Sequence, residues 1–439
     1  MSRELAPWKP RSGEWDTAAA HHFHARAGFG ASRDELEASR AAGLEASVAA
    51  LFAADDHDAA LLGGMRSLLA AGDEDTLRAW WMALILSGRA PLRERMTLFW
   101  HDHFATSNAK VDDVRLMHRQ NGLLRVQGLG DLRELLHAMA KDPAMLVWLD
   151  GNLNRRGQAN ENFAREVMEL FALGIGHYTE RDVQEAARAF TGWGTKGRAF
   201  HDRRDLHDAG VKEVLGQRGS FDGEAVIDVL LAQPACARHV ARRLLQEFVE
   251  PTPAEERVDA LAKTLVGNDW HVGRTLEALF ASRLFHDRSL RRSRVAGPVE
   301  LVAATVRRLG ASVAPKVAAE AAAEMGQALF RPPSVKGWDG GRTWIDAGTW
   351  VARHNALAGL ASAGKGGADG VRVDLEAAFG AARDRADLAR RVERLLLPDG
   401  VTRPQRRLLV RAAEAADDER AAWADVTALV LTSPEYQLT

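Results

Sequence analysis

Apolar residues recur at three- and four-residue spacing along most of this chain and alternation is rare, so the pattern predicts a mostly α fold. Helices are expected near 33–53, 74–87, 91–103, 111–126, 130–140, 161–173, 180–190, 223–232, 234–249, 253–266, 272–283, 297–309 and 315–329. Further ones follow near 372–382, 385–396, 403–414 and 417–431. Ser32 with Glu35 and Thr179 with Asp182 have capping-box spacing, and Gly174 and Gly310 stand where a left-handed residue closes a helix. Three stretches lack a helical period: 143–160, 191–222, with a short hairpin expected around Phe200 and Val211 to Leu215, and 331–349. Long ordered loops of this kind are where sites usually lie. A Gly-rich run at 361–371 reads as a linker, dividing a single large helical body (1–360) with long irregular loops from a small C-terminal helical subdomain (372–439).

Composition changes this picture mainly by exclusion. The chain has 439 residues, 46% of them hydrophobic, which is ample for a core. Fifty-eight basic against sixty acidic residues give a formal charge of −2, so nothing marks the chain as a nucleic-acid binder. A lone cysteine, Cys236, rules out an internal disulfide and reads as a small buried residue. The first ten residues hold no apolar run of signal length, and the longest greasy stretch, Trp80 to Leu86, is too short to span a bilayer. A cytoplasmic protein, with no export on a signal of its own, is therefore expected.

Four stretches carry candidate chemistry. In Asn160-Glu161-Asn162-Phe163-Ala164-Arg165-Glu166-Val167-Met168-Glu169, helical spacing aligns Asn162, Glu166 and Glu169 beside an apolar stripe. Such a carboxylate pair could bind a metal or serve as acid and base, and equally could pair with a buried arginine. His101-Asp102-His103 could supply two imidazoles to one metal only if the helix ends there; a core or capping role suits either histidine taken alone. His207-Asp208 with Lys212 offers acid–base or anion-holding groups, or simply a solvated loop. Trp338, Arg342 and Trp344, set among glycines, could form a stacking platform for a sugar with a charged donor beside it, or anchor their loop in the core. His21 and His24 are a lesser metal candidate. Phosphate-loop, zincin and nucleophile-elbow motifs are absent, and Gly28 and Gly30 follow no apolar strand, so a dinucleotide fingerprint is not supported.

Taken together, these stretches resemble a large bacterial family known only as domain of unknown function number 1800. The resemblance rests on His22 with Arg26 to Gly30, Phe99 to Phe104, Gln120-Asn121, Trp148-Leu149-Asp150, Asn160 to Glu166 through Gly174, and Phe190 to Trp193. It continues through His207-Asp208 with Lys212 and Leu215-Gly216, Met325-Gly326-Gln327, Pro332 to Trp338, and Thr432 to Tyr436. It implies a helical single-body fold. It also implies a partner from a second family, number 1501, whose members look like sulfatases or alkaline phosphatases and carry export signals, so that export in complex with this signal-bearing partner is the alternative to a cytoplasmic location. Asp102 stands where the family more often has asparagine, which makes that loop more acidic.

The functional expectation is a metal-dependent enzyme, hydrolase-like, acting on an envelope or extracellular polymer, for which a polysaccharide is one candidate, together with that partner. His101, His103, Glu166 and His207 would hold a divalent metal, Glu169 or Asp208 would act as base, and Lys212 or Arg342 would steady an anion. Asn160, Asn162, Trp338, Arg342 and Trp344 would contact substrate. Two rivals stand beside it: a non-catalytic scaffold or assembly factor in which the same motifs are buried networks, and a glycan-binding module using Trp338 and Trp344.

Overall fold

The computed structural model describes residues 3–53, 72–365 and 370–439. The fold is mostly helical, and among the described residues the strands form only two-stranded sheets. The helices that frame the site are α1 (Thr17–Ala27), α2 (Glu74–Ser87), α3 (Pro91–His103), α4 (Glu161–Glu166), α5 (Glu180–Ala189), α6 (Pro234–Phe248), α7 (Pro298–Arg308) and α8 (Ala347–Ser362). Three more close the C-terminal end: α9 (Arg385–Leu396), α10 (Arg403–Ala415) and α11 (Glu419–Leu431).

Both expected capping boxes form, at Ser32/Glu35 and Thr179/Asp182, and Gly174 and Gly310 take positive φ. The single helix expected over 33–53 is two, Arg33–Ala42 and Leu44–Ala53, because Gly43 adopts φ 88° and ends the first. The helix expected over 161–173 changes type midway: α4 gives way to a π-helix over Val167–Leu173. The irregular 191–222 stretch holds two hairpins rather than one, β1 (Trp193–Lys196) with β2 (Ala199–Asp202) and β3 (Lys212–Val214) with β4 (Gln217–Gly219).

The core divides into two hydrophobic clusters that meet at α3. Phe99 and Trp100 pack with Phe23, Phe171 and Leu244 on one side, while Leu98 packs with Trp81, Val299 and Phe330 on the other. Of the expected linker, 366–369 lie outside the described residues. Its flanks are structured: α8 runs into a short turn at Ala363–Lys365, and Val371–Arg372 pairs antiparallel with Ser312–Val313. Leu388, Val392, Val426 and Leu431 of the C-terminal helices share the second cluster with α2 and α7. Among the described residues, no helix is long and apolar enough to cross a membrane.

Candidate functional site

The expected site residues do not converge on one point. His101 is 2% exposed, rings of Trp81, Phe330 and Trp338 surround it, and its Nε2 accepts the Phe330 N–H at 3.2 Å. Burial lowers its pKa to about 3, so it is a neutral acceptor. His103 points elsewhere, because two residues on a helix differ by about 200°. Its Nε2 donates to the Phe171 carbonyl at 3.0 Å, and burial again holds it well below the ordinary range.

That contact has a local cause. The end of the π-helix leaves carbonyls without intrahelical partners; His239 Nε2 takes that of Leu170 at 2.9 Å and His103 takes that of Phe171. Both histidines are thus caps on one helix end. Helix α3 ends at this motif but only after His103, so both imidazoles still project from helical turns and the extended chain that would turn them to one side is not present between them. Among the described residues, no three His, Cys, Asp or Glu side chains group to hold a metal ion, and the expected set of His101, His103, Glu166 and His207 is dispersed.

The remaining candidates are mostly joints. Asn160 caps α4, receiving the Asn162 N–H at 3.0 Å, and its Nδ2 donates to the Asp150 carbonyl. Asn162 Nδ2 donates to the Leu149 carbonyl. His207 Nδ1 donates to the Thr191 carbonyl at 3.0 Å. Asp208 is gripped by Arg188, which holds its carboxyl down at about 2. Lys212, 1% exposed, donates to the Asp208 and Gly210 carbonyls, and burial lowers its pKa. Cys236 is buried and its thiol is pushed up to about 12 by burial. Glu166 is different: burial and the neighbouring Glu169 push its pKa up, and its side chain makes no hydrogen bond among the described residues. Tyr178 donates to Glu169, and Lys336 faces Glu166.

A cleft opens on the other side of the Lys336 loop. It holds about 290 Å³ and lies between α3, α6, the start of α7 and the loop over 332–344. Arg95, Phe99 and Asp102 share one face of α3, and Arg243 and Glu247 one face of α6. Arg294, Glu300 and Gln327 form the inner end, and Trp338, Gly340 and Trp344 close it.

Its charges are paired. Arg95 Nε lies 2.6 Å from Glu247 and Nη1 lies 3.2 Å from Glu300, while Arg294 Nη2 bridges both Glu300 oxygens at 2.7 and 2.6 Å. Burial pushes Glu300 upward, but Arg294, Arg95 and Arg26 outweigh it and bring it down to about 2. Asp102 fastens the loop: Oδ2 takes Arg243 at 2.8 Å and Oδ1 takes the Trp338 N–H at 2.7 Å. Gly337 must lack a side chain here, because a Cβ would stand 2.2 Å from Asp102 Oδ1 and φ is 81°. Burial nonetheless raises the Asp102 pKa.

Trp338 and Trp344 are each 8% exposed, so they wall the cleft rather than offer it a flat stacking surface. Arg342 is exposed on the loop beyond. Sequence reasoning missed Arg95, Arg243, Glu247, Arg294 and Glu300. A signal existed for Arg95 alone: it interrupts the apolar stripe of Leu92, Met96 and Phe99 on α3.

Comparison with known proteins gives one match. The model of a family described as "Protein of unknown function (DUF1800)" covers residues 22–438. No curated protein and no solved structure matches.

Proposed function

Since the chain belongs to the DUF1800 family, whose function is unknown, its own cleft must carry the reading, and we propose that the cleft binds a saccharide unit. The observation behind this is the lining itself, in which two indoles meet guanidinium, carboxylate and amide groups within a single concavity. Hydroxyl-rich ligands need that mixture of directional donors and acceptors with an apolar wall. A volume of about 290 Å³ sits at the small end of ligand pockets, about 300–1,000 Å³, and suits one ring, free or as a residue of a polysaccharide.

The test fills the cleft. Gln246 lines it, is only partly buried, and its side chain makes no hydrogen bond among the described residues, so Gln246→Trp occupies the space without breaking a network. Titration with oligosaccharides, followed by tryptophan fluorescence and calorimetry, should give saturable binding to the wild type and none to Gln246→Trp. Equal binding by both would refute the assignment.

A second reading, hydrolysis, is favoured by one observation. Glu166, with its raised pKa and neighbours Glu169 and Lys336, lies outside the cleft lining, where it could act as acid or base only on a polymer that extends past the loop closing the cleft. Glu166→Gln would then keep saccharide affinity and abolish turnover; unaltered turnover would remove Glu166 from that role.

A further inference from the structure

We propose that the inner end of the cleft is an anion subsite, and that the saccharide it takes carries a carboxylate or sulfate group there. This rests on the cleft being a saccharide site and specifies which saccharides it selects.

Two buried arginines at this end keep unspent donors. Arg95 is 1% exposed, and although Nε and Nη1 lie close to Glu247 and Glu300, neither Nε nor Nη2 has a hydrogen-bond partner among the described residues. Arg294 spends Nη2 on Glu300 and leaves Nε without one among them. Both side chains line the cleft. Buried guanidinium groups normally satisfy their donors, because an unpaired polar group away from water is costly.

Charge points the same way. Arg353, also 1% exposed, lies behind the inner wall and spends its donors on the carbonyls of Trp344 and Ala296 and the side-chain oxygen of Gln437, so no carboxylate pairs with it directly. Four guanidiniums, Arg26, Arg95, Arg294 and Arg353, therefore surround two carboxylates, Glu247 and Glu300. Toward the mouth, Asp102 and Arg243 cancel, and exposed Asp339 remains. The excess positive charge lies at the inner end, where the surroundings are driest and an oxyanion gains most from it.

The backbone leaves the room. A Cβ on Gly297 would stand 3.3 Å from Gln327 Oε1 and 3.8 Å from the Trp344 indole nitrogen, so the bare backbone keeps this end open. A carboxylate or sulfate there would meet guanidinium donors, while the sugar ring would lie between the two indoles and the Asp102–Arg243 pair.

The experiment titrates the full chain with three oligosaccharides of equal length, one neutral, one bearing uronate and one sulfated, and with inorganic sulfate alone. At least one acidic sugar should bind about tenfold or more tightly than the neutral one, and inorganic sulfate should compete with it. Arg294→Gln should bring acidic affinity down to the neutral level, whereas Arg294→Lys, which keeps the charge, should retain part of the preference. The wild-type comparison stands even if a variant fails to fold. Equal or weaker binding of both acidic sugars overturns the subsite. Sulfate binding that Arg294→Gln abolishes, with no saccharide bound, would sink the saccharide reading and leave the anion subsite standing. Absence of both sulfate and acidic-sugar binding would sink the subsite.

Discussion

Helix α3 presents two buried polar faces that behave in opposite ways. On one, His101 and His103 sit in dry aromatic surroundings, each bonded to a single backbone group and each held neutral by burial. On the other, Arg95 and Asp102 carry charge, share it with Glu247, Glu300 and Arg243, and border open space. The histidines lock loops; the charged residues include buried donors, Arg95 Nη2 and Arg294 Nε, with no hydrogen-bond partner among the described residues. The lesson is geometric: in His101-Asp102-His103 the conspicuous imidazoles point into protein, and the residue between them reaches the cleft.

The largest effect should come from breaking the charged face. Glu300→Ala strips both Arg95 and Arg294 of a carboxylate and should cost about 3–5 kcal/mol in chemical denaturation, as removing one partner of a buried network does. A cost near zero would mean the network is solvated. On the dry face, His103→Ala should cost about 2–4 kcal/mol through lost packing and an uncapped Phe171 carbonyl. Saccharide affinity should not move; a collapse in affinity with the fold intact would put His103 in the site after all.

Acid titration separates the two faces. His101 falls from an ordinary 6.5 to about 3, and His239 and His286 to about 4, so the unfolded chain binds protons that the folded one refuses. Their contribution is complete above pH 6.5 and is lost as pH drops toward those values. Glu300, lowered from 4.5 to about 2, contributes fully above pH 4.5 and loses it only below that. Stability measured against pH should therefore start to fall near 6.5. Glu300→Gln should flatten the curve below 4.5, while His101→Gln should reduce the slope above it. The smallest effect belongs to Arg243→Ala. Its pair with Asp102 is partly exposed, so stability should change by about 1 kcal/mol or less, while a loosened Trp338 loop lowers saccharide affinity.

How legible this was in the sequence varies by level. The helical class follows from apolar spacing, and capping boxes at Ser32 and Thr179 locate helix starts because cap chemistry is local. The π-helix at Val167–Leu173 was not legible, since no local residue preference marks it, and neither was the dispersal of the metal set, which depends on what faces α3. The Trp338 loop was noticed, but its role as wall rather than platform is set by burial against His101. Arg294 and Glu300 went unread because isolated charges on or near helices look solvated until a fold encloses them.

On the proposal made above, ligand chemistry belongs to the charged cleft and not to the histidine motif. Saccharide affinity measured by calorimetry before and after exhaustive chelation, in the wild type and in Gln246→Trp, tests it most directly. Affinity that survives chelation and disappears in Gln246→Trp is the predicted result; affinity that disappears on chelation, or persists in Gln246→Trp, would contradict it.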